Sequence, residues 1–545
     1  MSDERTFDYI IVGGGSAGCV LANRLSADEH NQVCLLEAGP PDTSPLIKMP
    51  GGVIQLMRSG GHNWQFWTTP QKNLDNRIRY CPRGKTLGGS SSINAMVYIR
   101  GNAADYDHWA SLGNPGWSYR EVLPLFKETE NFEGDADNYH GTGGGLNVSS
   151  NPALNPLSQV FLTAMRQAGY AANPDFNGAQ QDGCGPYNVM QKGGERCSNA
   201  RGFLRDAESR PNLKVLTNAQ ATRVLFEGKR AVGVRYYDGS RFVDVIARRE
   251  VVLAAGTIGS PHLLLLSGVG PRAELEAQGI AVHHELPGVG QNLQDHLDAI
   301  VSVREKTRLS MSFHPFSFLR AVYELLKYVF TRRGMFSSNV AEAGAFIKTS
   351  PEEPVPDLQL HFVPVAYSKH ALELKPMFGY AYTVLCCDLR PLSRGSVGLN
   401  SSDPLAPPRI DPNYGAAARD IDKLVTGIKK VREILAQSAF NPHRGVEIEP
   451  GPGVQTDEQL RDWVRAKAET VYHPVGTCKM GTDPMAVVDA RLRVRGLDGL
   501  RVADASIMPS LVGGNTNAPT TMISDKAAAM ILEDAHQQPM LAAAA

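Results

Sequence analysis

The stretch from Phe7 to Glu37 constrains the fold of this chain more than any other part of the sequence. An apolar run from Tyr9 to Val12 has the length and residue types of a buried parallel strand. A glycine-rich turn, a helical pattern and a second apolar run from Val33 to Leu36 follow it. The stretch therefore predicts a strand, a helix and a second strand, the unit that binds dinucleotides in many α/β proteins.

Three glycines with the spacing G-x-G-x-x-G form the turn of this unit. Gly13 permits the tight turn, Gly15 lets a pyrophosphate approach the backbone, and Gly18 lets the helix pack closely on the strand. The N-terminus of the helix offers free N–H groups to phosphate. Glu37 follows Gly18 by nineteen residues, where a carboxylate can bind the two ribose hydroxyls and would repel a 2′-phosphate. We therefore expect FAD or NAD rather than NADP.

Length, charge and cysteine pattern limit the possible classes of function. With 545 residues the chain needs two or more domains, and its net charge of −1 gives no electrostatic reason to expect nucleic acid. The eight cysteines form no C-x-x-C pair, so neither a metal site nor a thiol redox site is predicted. The charged start MSDERTF runs directly into the first strand, and we expect no signal peptide.

Four β runs in the middle of the chain predict a return to the first sheet. The last of them is apolar and ends in a small-residue turn, so we expect the nucleotide-binding domain to be discontinuous. Glycines and a proline interrupt the uncharged stretch that follows, and they favour a strand, a turn and a short helix over a membrane span. The four runs extend from Leu213 to Thr217, Thr222 to Phe226, Val232 to Tyr237 and Arg248 to Gly256.

Two further segments carry predictions about burial. The helical segment from Ser317 to Phe330 has an apolar stripe that includes Leu319 and Val329. We expect this stripe to face the core over a substrate cleft, with peripheral contact to a membrane as the alternative. His140 lies in a glycine-rich loop and is expected to be a surface or loop residue rather than a ligand.

Three stretches near the end carry residues suited to chemistry: YHPVGTCKMG from Tyr472, RVADASIMPS from Arg501, and GGNTNAPTTMISDKAA from Gly513. His473 stands in a turn, and an imidazole can take the proton that an alcohol loses when it is oxidised by hydride transfer. The residues alone leave a second interpretation open, a structural histidine bonded to nearby backbone, because the chain has fourteen histidines.

The sequence resembles the glucose-methanol-choline (GMC) oxidoreductases, which depend on FAD. Four blocks carry the resemblance: the opening unit, GKTLGGSSSINAMVYIRG from Gly84, GTIGSPHLLLLSGVG from Gly256, and the late pieces HPVGT, DASIMP and NTNAP. PGVGQNLQDH and SRGSVGL also match, so the resemblance covers nearly the whole chain. It is closest to bacterial members of the choline dehydrogenase and aliphatic alcohol dehydrogenase type.

The resemblance implies an α/β fold with two domains. A discontinuous, Rossmann-like FAD-binding domain is expected over residues 1–155, 213–305 and 475–535. A second, α+β domain built on an antiparallel sheet is expected over residues 156–212 and 306–474, where it would cover the substrate side of the flavin.

The resemblance also assigns site residues. His473 is the expected base and Asn517 its partner in the active site. Ile93 stands where some choline oxidases have the histidine that is linked to the flavin, so non-covalent FAD is expected. Contacts with FAD are expected from Gly13, Gly15, Ser16, Ala17, Gly18, Glu37, Ala38, Arg83, Gly88, Gly89, Asn94, Ala95, Met96, Val97, Val224, Asp504, Ala505, Asn515 and Thr516, with Val224 near the adenine.

The expected reaction is oxidation of a primary alcohol to the aldehyde by hydride transfer to flavin N5, with a quinone-type electron acceptor. Choline dehydrogenase is the first alternative, and Trp64, Phe66, Trp67 and Glu342 are the residues that a choline cage would use. An oxidase that reduces oxygen, and a redox-inactive FAD-binding protein or lyase, are the others. We expect the protein in the cytoplasm, at most peripheral to the inner membrane.

Overall fold

The computed structural model describes residues 5–312, 314, 317–367 and 378–537. Two seven-stranded sheets organise these residues, and each sheet is packed against its own cluster of buried apolar side chains. The arrangement matches the predicted α/β fold with a second domain on an antiparallel sheet.

The first sheet contains the opening unit. Thr6–Val12 lies between Val33–Leu36 and Phe242–Leu253, and the three strands run parallel. The sheet draws strands from the beginning, the middle and the end of the chain, as the middle β runs predicted. In spatial order the strands are Leu213–Leu216, Val33–Leu36, Thr6–Val12, Phe242–Leu253, Arg230–Tyr237 and Gln220–Glu227, and Leu500–Val502 also pairs with Phe242–Leu253.

The second sheet is antiparallel throughout its main path. Leu297–Glu305 belongs to it, although the predicted boundary placed residues up to 305 in the first domain. This strand is thus paired with the second sheet and not with the first. In spatial order its strands are Arg444–Glu449, Leu297–Glu305, Ala381–Asp388, Leu358–Val363, Ala343–Ile347 and Gly183–Pro186, and Glu469–Thr470 also pairs with Leu297–Glu305.

The first and last helices pack together beside the first sheet. Arg24 of the first and Asp525 of the last form an ion pair at 2.6 Å, and the Asp525 carboxylate is nearly buried. This contact fixes the end of the chain against its beginning. The longer helices are Ser16–Leu25, Ala103–Ser111, Tyr119–Thr129, Pro156–Gln167, Gly256–Leu266, Phe318–Thr331, Ala418–Leu435, Asp457–Lys467 and Asn517–Gln537.

The uncharged stretch from Val251 to Gly270 folds as predicted, with the end of a strand followed by the helix Gly256–Leu266. That helix is buried on most sides. Within the residues that the structure describes, no helix is both long and apolar enough to cross a membrane.

The prediction for the segment from Ser317 to Phe330 is correct about the helix and wrong about its orientation. The helix Phe318–Thr331 has Leu319, Leu326 and Val329 exposed to solvent. The amphipathic pattern shows that one face is apolar, but it carries no information about which face meets the rest of the protein.

His140 is in a loop, as predicted, but it is buried rather than at the surface. Its Nδ1 lies 3.1 Å from the Glu130 carboxylate and its Nε2 lies 2.9 Å from that of Asp175. Burial by itself lowers the pKa of His140, but the hydrogen bonds and charges of Asp175 and Glu130 outweigh it and raise the pKa to about 9. Glu130 also accepts from the buried Arg100 at 2.7 Å.

We predict that His140→Gln destabilises the protein at pH 6 and does so less at pH 10. Because the pKa of His140 is raised in the folded state, its protonated form stabilises the protein. This stabilisation is complete at a pH below the ordinary pKa near 6.5, and it is lost as the pH rises through about 9. The corresponding penalty is about 2–3 kcal/mol at pH 6, measured as the change in unfolding midpoint of the holoenzyme. His30→Gln is the control, because His30 also faces an aspartate but its side chain is 86% exposed. Equal penalties for His140→Gln at both pH values would contradict this prediction.

Candidate active site

A cavity of about 820 Å³ lies between the two sheets. Val12 and Leu36 of the first sheet and Val363 and Leu385 of the second all line it. Its volume is in the range of ligand pockets, and most of its wall is apolar with a few polar groups. The glycine turn forms part of this wall, and so do the late turns at His473 and Asn515.

The three glycines of the opening turn have different neighbours. A Cβ on Gly13 would lie 2.6 Å from the Ala254 carbonyl oxygen, and one on Gly18 would lie 1.8 Å from the Gly13 oxygen. A Cβ on Gly15 would meet no atom closer than 3.9 Å and would project where the cavity wall is open. The fold itself thus requires glycine at the first and third positions. The second is required only if something must approach the backbone there.

The first helix begins at this turn without a side-chain cap and without an acidic residue in its first turn. Ser16 and Ala17, its first two residues, line the cavity. The N–H groups of an uncapped helix start lack intrahelical partners and attract anions. This end of the cavity is therefore suited to a phosphate group.

Glu37 is buried beside the glycine turn and lines the cavity. Its two carboxylate oxygens accept hydrogen bonds from the N–H groups of Gly14 and Gly39, each at 2.8 Å. Burial raises the pKa of Glu37 to about 7, against the opposing effect of these hydrogen bonds and of Lys85. Each oxygen keeps a further lone pair, so the carboxylate can still accept from a sugar hydroxyl.

A second loop, from Gly88 to Val97, also lines the cavity, and it begins against the glycine turn, where the Gly88 N–H donates to the Gly14 carbonyl at 2.7 Å. Arg196, which the sequence analysis missed, holds it: its guanidinium donates to the Ser91 carbonyl at 3.2 Å and to both the carbonyl and the side-chain oxygen of Asn94, at 2.6 and 2.8 Å. Arg196 has no carboxylate partner among the described residues, and burial lowers its pKa to about 9. No local sequence signal marks this residue, because these partners are about a hundred residues away and most of them are backbone atoms.

Asn515 contacts His473 at the cavity wall, with Nδ2 of the amide 3.1 Å from Nε2 of the ring. Oδ1 of Asn515 accepts from Gln359 at 3.2 Å, and the amide presents its N–H group to the histidine. Because an amide N–H can only donate, Nε2 of His473 is the acceptor, and the neutral ring carries its proton on Nδ1. The cavity wall thus presents a proton acceptor, Nε2 of His473, next to a hydrogen-bond donor, the Asn515 amide. Oxidation of an alcohol needs both, one to take the hydroxyl proton and one to bind the oxygen.

His296 lies behind His473, and the two Nδ1 atoms are 3.0 Å apart. Asp295 anchors both residues, since its carboxylate accepts from the backbone N–H of His473 at 2.8 Å and from that of His296 at 2.9 Å. The hydroxyls of Tyr414 and Thr470 also donate to it. Asp295 and His296 are the last two residues of the piece PGVGQNLQDH, so that motif was the available signal for the anchor.

The environment holds His473 in the neutral form. Burial lowers its pKa well below the ordinary value, and the nearby His296, His361 and Arg83 lower it further. Burial also lowers the pKa of His296 to about 3. A neutral imidazole at physiological pH has the unprotonated ring nitrogen that a base requires.

The chain matches the family description of the GMC oxidoreductases at residues 7–298 and again at residues 391–524. The chain belongs to the GMC oxidoreductases. It is 51% identical to "Alcohol dehydrogenase [acceptor]" of Pseudomonas putida, over 96% of each chain. It is 43% identical to an oxygen-dependent choline dehydrogenase of Photobacterium profundum, over 98% of this chain and 94% of that one.

Solved structures of similar fold include pyridoxine 4-oxidase from Mesorbium loti, with a TM-score of 0.87 and 30% identity. A variant of the formate oxidase of Aspergillus oryzae, studied for its FAD modification, has a TM-score of 0.91 and 26% identity. Each comparison covers 98% of this chain and 100% of the other. The predicted family and fold are thereby confirmed, and these relatives support FAD as the cofactor.

The residues of this GMC oxidoreductase fit the phosphate and ribose part of a dinucleotide such as FAD. The open position at Gly15, the uncapped helix and the Glu37 carboxylate meet at one end of the cavity. Oδ1 of Asn517 is buried there and finds no donor among the described residues. In the same described part, no group of three or more His, Cys, Asp and Glu is placed to hold a metal ion.

Asn517 does not contact His473, contrary to the prediction for this pair. It is the first residue of the helix Asn517–Gln537, and its Nδ2 donates to Ser16 at 2.9 Å and to Asn199 at 3.3 Å. The side chain is therefore directed to the glycine turn, and Asn515, two residues earlier, takes the position beside the histidine.

Most of the predicted FAD contacts line the cavity, and three do not. Gly18 packs on Gly13, Gly88 at the start of the second loop is bonded to Gly14, and Val224 is buried in the first sheet, where its N–H donates to Ser267. Ala219, Gln220 and Ala221 line the cavity where Val224 was expected. The predicted residues that line it are Gly13, Gly15, Ser16, Ala17, Glu37, Ala38, Arg83, Gly89, Asn94, Ala95, Met96, Val97, Asp504, Ala505, Asn515 and Thr516, together with His473 and Asn517.

Of the residues predicted for a choline cage, the aromatic ones line the cavity and the acidic one, Glu342, does not. Trp64 stacks on Phe66, and the Lys85 ammonium lies 4.3 Å from the centre of the Trp64 ring, so that a cation already occupies this face. Glu342 does not line the cavity, and its carboxylate is bonded to a backbone N–H and to the hydroxyls of Ser158 and Ser338.

We predict that Gly15→Ala yields a folded protein with at least about tenfold weaker FAD binding. The new methyl group meets no protein atom closely but occupies the approach to the pyrophosphate. Flavin content and the affinity of the apoprotein for added FAD measure the effect, and circular dichroism reports the fold. Gly61→Ala is the control, because its Cβ would have no neighbour within 4 Å and it does not line the cavity. Full flavin content in Gly15→Ala would contradict the placement of the pyrophosphate.

Proposed function

We propose that this GMC oxidoreductase oxidises a primary alcohol to the aldehyde, with His473 as the base. The observation that carries the proposal is the neutral His473 ring, whose Nε2 meets the Asn515 amide at the wall of an apolar cavity. Relatives that act on alcohols, including one 51% identical, support the reaction class.

Each residue has a defined task in the proposed reaction. Nε2 of His473 takes the hydroxyl proton of the alcohol, and the Asn515 N–H donates to the same oxygen. His296, through Nδ1, keeps the histidine proton on the side away from the substrate, and Asp295 holds both rings through their backbones. FAD, when bound, supplies the acceptor for the hydride that leaves the substrate carbon.

FAD is proposed to bind without a covalent link. Ile93 is buried, lines the cavity and has no atom that forms such a bond. The phosphate end is proposed to lie on Gly15, Ser16 and Ala17, with Glu37 at the ribose. The flavin end would lie between the Asn94–Val97 part of the second loop and the late turn at Asp504 and Ala505.

We also propose that the two domains have separate roles, one in binding FAD and one in covering the substrate. Residues 1–155, 213–296 and 475–535 would hold FAD, and residues 156–212 and 297–474 would cover the substrate. The boundary at 297 follows the sheet to which the strand Leu297–Glu305 belongs.

A neutral alcohol is the proposed substrate, rather than choline. The carboxylates among the described lining residues are Glu37 and Asp504, and both accept hydrogen bonds from backbone N–H groups. A quaternary ammonium buried without a counter-charge is unfavourable by several kcal/mol. Choline remains the second candidate because relatives 43–45% identical are named choline dehydrogenases.

The proposed electron acceptor is a quinone-type compound, with oxygen as the alternative. The name of the Pseudomonas putida relative specifies only an unnamed acceptor. A membrane-dissolved quinone would require the protein to work in the cytoplasm at the surface of the inner membrane.

We predict that His473→Ala slows reduction of the bound flavin by an alcohol by about 10²–10⁴-fold, the range of general-base catalysis. Stopped-flow absorbance under anaerobic conditions measures the rate. His283→Ala is the control, because this histidine stacks on Phe226 and does not line the cavity. A loss of less than about fivefold in His473→Ala would exclude His473 as the base.

We predict that hexanol and benzyl alcohol bleach the flavin under anaerobic conditions, and that choline does so at least about a hundredfold more slowly, since burying its charge costs several kcal/mol. A panel of substrates followed at the flavin absorbance band tests this. If choline alone bleached the flavin, a neutral alcohol would be excluded as the substrate. If no alcohol bleached it, the alternative of a redox-inactive protein or lyase would be favoured. Reoxidation by oxygen or by a quinone dye then separates oxidase from dehydrogenase.

A further inference from the structure

The helix Phe318–Thr331 exposes a wide apolar face to solvent. Leu319 and Phe330 are 80% and 82% exposed, and Tyr323 and Leu326 are more than half exposed. Of the eighteen large apolar side chains that are exposed in the described residues, seven lie on this one helix. Such a concentration differs from the scattered exposure of single apolar side chains on soluble proteins, and it marks an interaction surface.

The opposite side of the helix is fixed to the protein. Tyr328 is buried, and its hydroxyl donates to the Gly194 carbonyl at 3.3 Å. The Glu324 carboxylate accepts from the N–H of Met335 at 2.8 Å. A polar residue therefore faces the protein while the apolar residues face outward, the reverse of a helix that covers a core.

Basic residues accompany the apolar face. Residues 318–333 contain one acidic side chain, Glu324, and four basic ones, although the whole chain has a net charge of −1. The basic residues are Arg320, Lys327, Arg332 and Arg333. Arg332 forms an ion pair with Glu195 at 3.1 Å, and Arg320 and Arg333 are exposed. An amphipathic helix with a basic polar side is suited to the headgroups of anionic lipids.

We propose that this helix docks the protein on an anionic membrane surface, with Leu319, Tyr323, Leu326 and Phe330 in the interface. The positive charge favours an anionic bilayer over a second copy of the chain, because two copies of the same basic helix repel each other.

The docking helix is close in sequence and space to the cavity wall. Met335–Ser337 follows it and packs against it, and Asn339, Val340 and Ala341 then line the cavity. Docking would therefore bring the wall of the substrate cavity to the lipid surface. This helix would thus make the membrane contact of the proposed function. Docking rests on that function only for its biological purpose.

The test is co-sedimentation of the FAD-loaded protein with vesicles of phosphatidylglycerol and phosphatidylcholine in equal parts. We expect wild type to pellet with these vesicles and to bind pure phosphatidylcholine much more weakly. The double variant Leu326→Glu/Phe330→Glu should lose at least about tenfold in partition coefficient. Arg320→Gln/Lys327→Gln should lose about fivefold for each charge removed.

The matched control is Phe242→Glu/Val446→Glu, which changes two exposed apolar side chains on other parts of the surface. Flavin content and oxidation of hexanol with a soluble dye should be the same in all variants, so failure of the docking proposal is distinguishable from failure of the proposed function. Absence of vesicle binding by wild type, or equal binding by the helix variant, would overturn the proposal. So would a dimer that dissociates in the helix variant without any vesicle binding, because the face would then belong to a second copy.

Discussion

The close approach of the first helix to the first strand is the constraint on which the rest of the structure depends. A Cβ on Gly18 would lie 1.8 Å from the Gly13 oxygen, so this contact exists only between glycines. It directs the uncapped start of the helix into the cavity. The last helix then packs on the first, and the bond from Asn517 to Ser16 ties the end of the chain to the turn.

That tie also positions the proposed chemistry. Asn515 comes two residues before the anchored start of the last helix, and this anchor leaves its amide against His473. His473 is held separately, by the backbone bond to Asp295 next to the second sheet. The two reactive groups thus come from separate segments, one before the last helix and one after a strand of the second sheet, and both line the cavity between the two sheets.

The sequence was sufficient for the parts of the fold that local patterns determine. The glycine spacing and apolar runs predicted the strands and the first helix, because a buried parallel strand and an amphipathic helix have different periods. It was not sufficient where the deciding contact is distant. Arg196 binds backbone about a hundred residues away, and His140 is buried by Glu130 and Asp175, which no periodicity connects. Asn515 and Asn517 share one turn, and only the start of the helix decides which of them faces the histidine.

The same limit explains the helix Phe318–Thr331, and here the outcome has a consequence for function. A periodic apolar stripe is equally compatible with a core and with a lipid surface. Tyr328 and Glu324 distinguish the two cases, because they attach the helix to the rest of the protein by its polar side. An apolar cavity and an exposed apolar face then lie on either side of the segment from Met335 to Ala341. Alcohols and quinones that dissolve in a bilayer are concentrated at its surface, so a protein that docks there meets both at higher concentration than it would in solution. The orientation of one helix would thereby connect the proposed preference for neutral, apolar substrates with the proposed membrane contact.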